Sequence, residues 1–256
     1  MTVLRNNFSA GPDGTKMTIA NSGANDDDAF DTMNNGSSPT ICAFYDAAVL
    51  GRSTAEFVLK VSTGSTVFAP EAIWTSASLG VQTQIYTRVY IMFPVLPTST
   101  TSPIVFFQAL TGGGSAFCSY IGLDKSTYQI YMTDKFDPGV GFKVQTSGAI
   151  TAGQWFRIEA RQQYSTTTGN AELRWFNDPD TDVPTETLSF TNQNLGGANT
   201  DTWTFGYGWS KANWQAMYMS GLELNNTDWP GPAPFRPGKG IPGILTNQTA
   251  IHTDVW

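Results

Sequence analysis

The sequence predicts an all-β protein, an antiparallel β-sandwich of the jelly-roll type with an extended Pro/Gly-rich C-terminal arm. Three observations lead there. Residues 151–176 read as a hairpin. Phe156, Ile158 and Ala160 alternate with Arg157, Glu159 and Arg161, the STTTGN stretch turns the chain, and Ala171, Leu173 and Trp175 then alternate with Glu172 and Arg174. A period of two marks strands with one buried and one wet face, and two such runs across a short Gly-containing loop pair antiparallel. Residues 82–93 form a second clear strand, with Ile85, Val89, Ile91 and Phe93 on one face and Tyr86, Arg88, Tyr90 and Met92 on the other. Neither face is fully polar, which predicts a mid-sheet position with one side in the core and the other in a partly covered aromatic groove. The remainder supplies short strand-like runs with turn signals roughly every 8 to 15 residues and no convincing amphipathic helix.

The elements follow in order. Residues 1–40 are polar and cut into turns by Asn-Gly, Ser-Gly and Ser-Pro, which leaves 3–8 and 16–19 as short edge strands. Runs 41–45 and 55–61 are strands, 67–74 is a strand broken by Pro70, and 45–50 is a candidate helix. Strand 82–93 is closed by Pro94 and Pro97. Strand 103–110, the glycine break at 112–114, a hairpin of 116–123 with 128–133, and strand 142–146 come next. After the charged hairpin come 187–190, 202–209 and 214–224. In 202–209, Trp203, Phe205, Tyr207 and Trp209 share one face, with Thr204, Gly206 and Gly208 opposite. Residues 228–243 hold five prolines and four glycines and read as an extended tether. The domain is therefore expected over 1–228 and the arm over 229–256. No internal repeat is present.

Composition narrows the partners. The net charge is −7 and the 14 basic residues are scattered, which argues against nucleic acid, whose phosphates need clustered Lys and Arg. Charged residues make up 14% of the chain against a typical quarter, replaced by Thr, Ser, Asn and Gly, the coat of an extracellular or virion β protein. No apolar stretch is long enough to span a membrane, and the N-terminus has no apolar leader. The expectation is a protein made in a host cytoplasm that reaches the outside by assembly into a virus particle. Cys42 and Cys118 lie in apolar runs and read as buried thiols, with a disulfide between them left open.

The order of elements resembles the concanavalin A-like lectin/glucanase superfamily, including its laminin-G-like jelly rolls. The central YTRVYIMF strand, the Gly-Gln-Trp hairpin, and the final WQAMYMSGLEL strand after WTFGYGW carry the resemblance over about residues 82–224. The N-terminus also resembles the opening of lectin-fold virion proteins of actinobacterial tailed phages, Arg-Asn-x-Phe-x-Gly-x-x-Gly followed by Asn-Ser-Gly and Ala-Phe-Asp. Arg5, Asn6, Phe8, Gly14, Asn21, Ser22, Gly23, Ala29, Phe30 and Asp31 match it. That resemblance implies a minor tail or capsid decoration protein on the virion surface, packing against other virion subunits or further copies of itself.

Candidate chemistry follows from these readings. Glycosidases of this fold resemble one another in a strand of closely spaced acids, and a retaining pair must stand roughly 5 to 5.5 Å apart. Glu159 stands alone between Arg157 and Arg161, and Glu223 is followed by Leu224 and Asn225, so no such pair is found. The lone His252 lies in the tail, away from any rigid shell that could hold a catalytic base. The chain is accordingly expected not to be an enzyme and to need no cofactor. Asp178, Asp180 and Asp182 have the alternate spacing of a calcium loop but lack the glycine and the closing glutamate of an EF-hand, and a solvated acidic turn explains them as well. Sugars stack on aromatic faces flanked by polar groups, and Tyr86, Arg88, Tyr90, Trp203, Tyr207, Trp209 and Trp214 are the candidates for a glycan face. Core filling is the competing account of these aromatics. Trp229, Phe235 and Trp256 are candidate anchors by which the arm docks on a partner. Two functions are carried forward: a structural phage virion protein, or a carbohydrate-binding module for host or environmental polysaccharide.

Overall fold

The computed structural model describes residues 2–8, 14–23, 27–34, 41–46, 57–62, 71–97, 99–100, 104–124, 126–134, 143–206, 212–213 and 216–233. In chain order the elements are β1 (Val3–Asn6), α1 (Ile19–Ser22), β2 (Thr32–Asn34), β3 (Ile41–Asp46), β4 (Phe57–Ser62), β5 (Glu71–Thr75), α2 (Ser76–Leu79), β6 (Gln84–Met92) and β7 (Ser99–Thr100). Then come β8 (Ile104–Thr111), β9 (Ala116–Leu123), β10 (Gln129–Met132), β11 (Val144–Ala149), β12 (Phe156–Gln163), β13 (Gly169–Phe176), β14 (Glu186–Gln193), β15 (Thr202–Gly206), β16 (Ala212–Asn213) and β17 (Met217–Asn225).

Two antiparallel sheets enclose one core. An eight-stranded sheet runs β14-β13-β12-β6-β17-β4-β3 with β1 added along β17, and a seven-stranded sheet runs β11-β10-β9-β8-β15-β5-β2. Strands β7 and β16 form a separate ribbon. This is the sandwich expected from the sequence. Ile85, Val89, Ile158 and Leu173 of the first sheet share a hydrophobic cluster with Trp74, Phe107, Trp203 and Phe205 of the second. Burying side chains of this size contributes roughly 1.5–3 kcal/mol each. The candidate helix at 45–50 is corrected: Tyr45 and Asp46 end β3, and 47–50 lie outside the described residues. The edge strand expected at 16–19 is a single bridge from Lys16 to Ala43 followed by the turn of α1.

The outer face of the eight-stranded sheet differs most from expectation. The alternating charges of β12, read as a wet face, are buried: Arg157 is 1% exposed and Glu159 2%. Register explains how. Arg5, Glu223, Arg88, Glu159 and Arg174 stand opposite one another on β1, β17, β6, β12 and β13, an alternating row across five strands. Glu223 takes Arg5 Nε at 2.9 Å and Arg88 Nη2 at 3.2 Å, and Arg157 Nε lies 3.0 Å from Glu159 Oε1. Charges so desolvated need partners on every side. The row owes its order to a bulge. Met217 and Met219 face the core, but the register shifts between Ser220 and Glu223, so that Leu222 and Leu224 face inward and Glu223 emerges opposite Arg88. Gly221 (φ +53°) sits in that bulge, where an added Cβ would stand 3.0 Å from the Tyr90 ring.

Two backbone segments complete the cover. In the 177–185 loop, Pro179 and Thr181 offer their carbonyls to Arg157 Nη1 (2.6 Å) and Nη2 (2.7 Å). The start of the arm turns back across the sheet. Arg88 Nη1 donates to the Gly231 carbonyl at 2.9 Å, and the Ala233 N–H donates to the Tyr90 hydroxyl at 2.6 Å. Trp229 lies edge-on to Tyr86 and beneath the Arg174 guanidinium, 3.5 Å from the ring centroid. The described part of the arm is thus a strap on its own sheet, and residues 234–256 lie outside the described residues.

The N-terminal motif is also accounted for by packing. Asn6 Nδ2 donates to the carbonyls of Ser22 (2.7 Å) and Asp28 (3.0 Å), and Asn6 Oδ1 accepts from the Phe8 N–H. Phe8 stacks on Phe30, which stacks on Trp74. Ser22 Oγ accepts the Phe30 N–H, and Gly23 lies so close to Ala29 that a Cβ would clash at 2.5 Å.

The charged row makes a graded prediction. Glu223→Gln leaves the buried Arg88 without its carboxylate and should lower unfolding stability by about 3 kcal/mol in urea titration. Arg5→Ala, whose side chain is 53% exposed, should cost less than about 1 kcal/mol. Equal losses would show that the row does not act through desolvation.

Candidate functional site

A cleft of about 480 Å³ lies on the outer face of the seven-stranded sheet. Alternation builds it. On β5, Ala72 and Trp74 enter the core while Glu71, Ile73 and Thr75 face out. On β15, Trp203 and Phe205 enter the core while Thr202, Thr204 and Gly206 face out. Pairing aligns the outward residues into rows. Thr32, Ile73, Thr204 and Gln108 form one, and Thr75, Thr202, Leu110 and Phe117 the next. Gln108 and Thr204 are the nearly buried floor, Glu71, Ile73 and Phe117 are half-buried walls, and Thr32 and Ser76 are exposed at the rim. Beyond Gln108 the first row continues to Tyr120, which meets Tyr131 edge-on at 5.7 Å.

The walls are held by local chemistry. Between β8 and β9 the chain turns through Gly112, Gly113 and Gly114, all at positive φ (64°, 68°, 84°), which three successive side chains would not tolerate. The Gly113 N–H donates to the Asp201 carboxylate at 3.0 and 3.2 Å, and Thr202 Oγ1 donates to the same group at 3.0 Å. Opposite, the Asp31 carboxylate accepts from the Thr75 N–H (2.6 Å), Thr75 Oγ1 (3.0 Å) and Ser78 Oγ (2.9 Å), which pins the end of β5 to α2.

Glu71 is the chemically distinctive group. Burial pushes its carboxyl up to about 7, and a side-chain hydrogen bond with Asn34 only partly opposes this. Near neutral pH it can therefore either give or take a proton. Asp201 is at the far end. Glu71 pairs with Gly206, five residues along β15 from Asp201, which is roughly 17 Å of strand. Hydrolysis by a carboxylate pair needs roughly 5 to 9.5 Å, so these two acids do not form one.

The sequence-predicted residues fall elsewhere. Tyr86, Arg88 and Tyr90 are on the opposite sheet, buried beneath the strap. Trp203 is fully buried in the inter-sheet core and offers no face to a sugar; its neighbours Thr202 and Thr204 are the ones that reach the cleft. Trp229 docks on its own chain. Tyr207, Trp209, Trp214, Phe235 and Trp256 lie outside the described residues, as does His252. Asp178, Asp180 and Asp182 are on an exposed loop where Asp178 Oδ1 caps the Asp180 N–H, and no group of three His, Cys, Asp or Glu suited to a metal occurs among the described residues. Both cysteines are buried, and neither forms a disulfide. Glu71 and Gln108 escaped sequence reasoning, which read Thr204 only as a residue opposite Trp203 and Phe205 and residues 112–114 only as a break. The signal for Thr204 was the alternation itself: if Trp203 and Phe205 are inside, the threonines between them are outside.

No family model matches the chain, and no curated protein matches it. Solved structures do. An alginate lyase from Alteromonas sp.272 aligns at TM-score 0.43 and 10% identity over 67% of this chain and 89% of its own. Lectin I-B4 from Griffonia simplicifolia aligns at TM-score 0.38 and 11% identity over 66% and 87%. A β-glucanase catalytic domain from Podospora anserina aligns at TM-score 0.42 and 10% identity over 73% and 79%. Likeness at this level concerns the fold alone: an antiparallel jelly-roll sandwich shared with concanavalin A-like lectins, lyases and glucanases. It corrects one expectation. Two of these three proteins are enzymes, so the exclusion of catalysis drawn from missing acid pairs does not stand.

Glu71 gives a signed pH prediction. Folded, it keeps its proton to about pH 7, whereas the unfolded chain releases it near 4.5. Stability from this group is complete below pH 4.5 and falls as pH rises to 7, by about 3 kcal/mol. Glu71→Gln should flatten that fall in urea titrations at pH 5 and pH 8. An unchanged profile would place the titration elsewhere.

Proposed function

We propose that this chain recognises polysaccharide, and that it does so along the outer face of the seven-stranded sheet. The observation that supports this reading is the composition of the cleft. Hydroxyls of Thr202 and Thr204, the Gln108 amide and the Glu71 carboxyl alternate with the apolar Ile73, Leu110 and Phe117 in one open trough. A sugar ring presents hydroxyls at its edge and C–H groups on its faces, and such a lining answers both. The glycine turn beside it presents no side chains at Gly113 and Gly114, so an extended chain can lie across the rim. Glu71 is placed to exchange a proton with whatever is bound.

We further propose the surface of a phage tail or capsid as its location. This rests on the N-terminal resemblance, whose residues serve here to close the sandwich.

Titration calorimetry against a polysaccharide panel tests the reading. Thr204→Val removes one hydroxyl at constant volume, Phe117→Ala removes one wall, and each should weaken binding roughly tenfold. Trp229→Ala, on the opposite sheet, should leave affinity unchanged. Binding abolished by Trp229→Ala and indifferent to the two cleft variants would return the site to the aromatic face.

A further inference from the structure

Resting on the reading of the cleft as a polysaccharide site, we propose that its ligand is an uncharged glycan and that the cleft discriminates against polyuronates. The thirteen described residues that line it include no Lys, Arg or His, and two of them, Glu71 and Asp201, are acids. The Asp201 carboxylate is already engaged by Gly113 and Thr202, which fixes its negative end at the rim. Five arginines among the described residues stand on the other sheet. Arg5, Arg88, Arg157, Arg161 and Arg174 all belong to the outer face of the other sheet, where register opposes most of them to acids.

The energetics follow from this division. A uronate carboxylate entering the trough would lose water with no cation to replace it, and would face Glu71 or Asp201. A neutral sugar brings only hydroxyls. For these, Thr204 and Gln108 offer both donors and acceptors, and the Glu71 carboxylate offers acceptors. The net charge of −7 adds repulsion of polyanions at long range.

The test uses the full chain at pH 8 and low salt. Mixed-linkage β-glucan, xylan and galactomannan are compared with alginate and polygalacturonate by affinity electrophoresis and calorimetry. At least one neutral polymer should bind tenfold or more tightly than either polyuronate. Thr32→Lys, at the exposed rim, should then narrow that preference at least tenfold, and Thr32→Gln should not. Polyuronate binding equal to the best neutral polymer and weakened by Phe117→Ala would overturn the charge assignment and leave the cleft as a glycan site. No binding of any polymer would overturn the glycan site itself, and this inference with it.

Discussion

The alternating row Arg5–Glu223–Arg88–Glu159–Arg174 is the constraint around which the molecule is arranged. It puts charged side chains on a surface that the fold then removes from water. Burial pulls the Arg88 guanidinium below its ordinary value and raises the Glu159 carboxyl, and the neighbouring opposite charges work against both shifts. Such a row is tolerable only if every donor and acceptor is met. Glutamates cannot meet all the guanidinium N–H groups, so backbone carbonyls from Pro179, Thr181 and Gly231 take several of them, while Arg157 Nε faces Glu159 Oε1 at 3.0 Å as an ion pair only. The strap and the 177–185 loop are therefore part of the electrostatics of the sheet. With them in place, the charged row at the middle of that face is covered by the protein's own backbone.

Much of this architecture was legible in the residues. The hairpin of β12 and β13 was, because period-two alternation and a Gly-Asn turn agree; so was β9, whose bounds match the run 116–123. What was not legible was whether the charged side of an alternating strand is wet or covered. Arg157 and Glu159 have the same spacing in either case, and the deciding neighbours are Pro179, Thr181 and Arg88, distant in sequence. The bulge at Gly221 was also hidden. Without it Glu223 would face the core, and a strict alternation from Met217 predicts that. Strand β2, three residues long, and the single turns α1 and α2 are too short to carry a periodic signal.

The candidate site was missed for a related reason. Searching for sugar-binding aromatics favours Trp203, and Trp203 is inside because its strand lies mid-sheet between β5 and β8, where the bulky side must fill the core. The residues left facing out are Thr202, Thr204 and Gly206, unremarkable in isolation. They become a site only when register sets them beside Ile73, Glu71 and Gln108. Glu71 takes its chemistry from that placement. In sequence it is one acid after Pro70; in the sheet it is a largely desolvated carboxyl opposite Gly206, a residue with no side chain to contest the space.

The two outer faces thus solve opposite problems with similar residue types. On the eight-stranded sheet, cations and anions are interleaved and sealed, so the charges specify strand order and are spent within the protein. On the seven-stranded sheet, the described lining of the cleft holds acids and hydroxyls without Lys, Arg or His, at an open rim. The asymmetry extends to the N-terminal motif, which serves both. Arg5 completes the charged row through Glu223, while Asp31 ties β5 to α2 and so holds Thr75 and the end of the cleft. Phe8, Phe30 and Trp74 stack in the core between these two tasks. A segment that reads from sequence as a polar lead-in thus joins both sheets, β1 along β17 and β2 along β5, with Phe8 and Phe30 in the core between them.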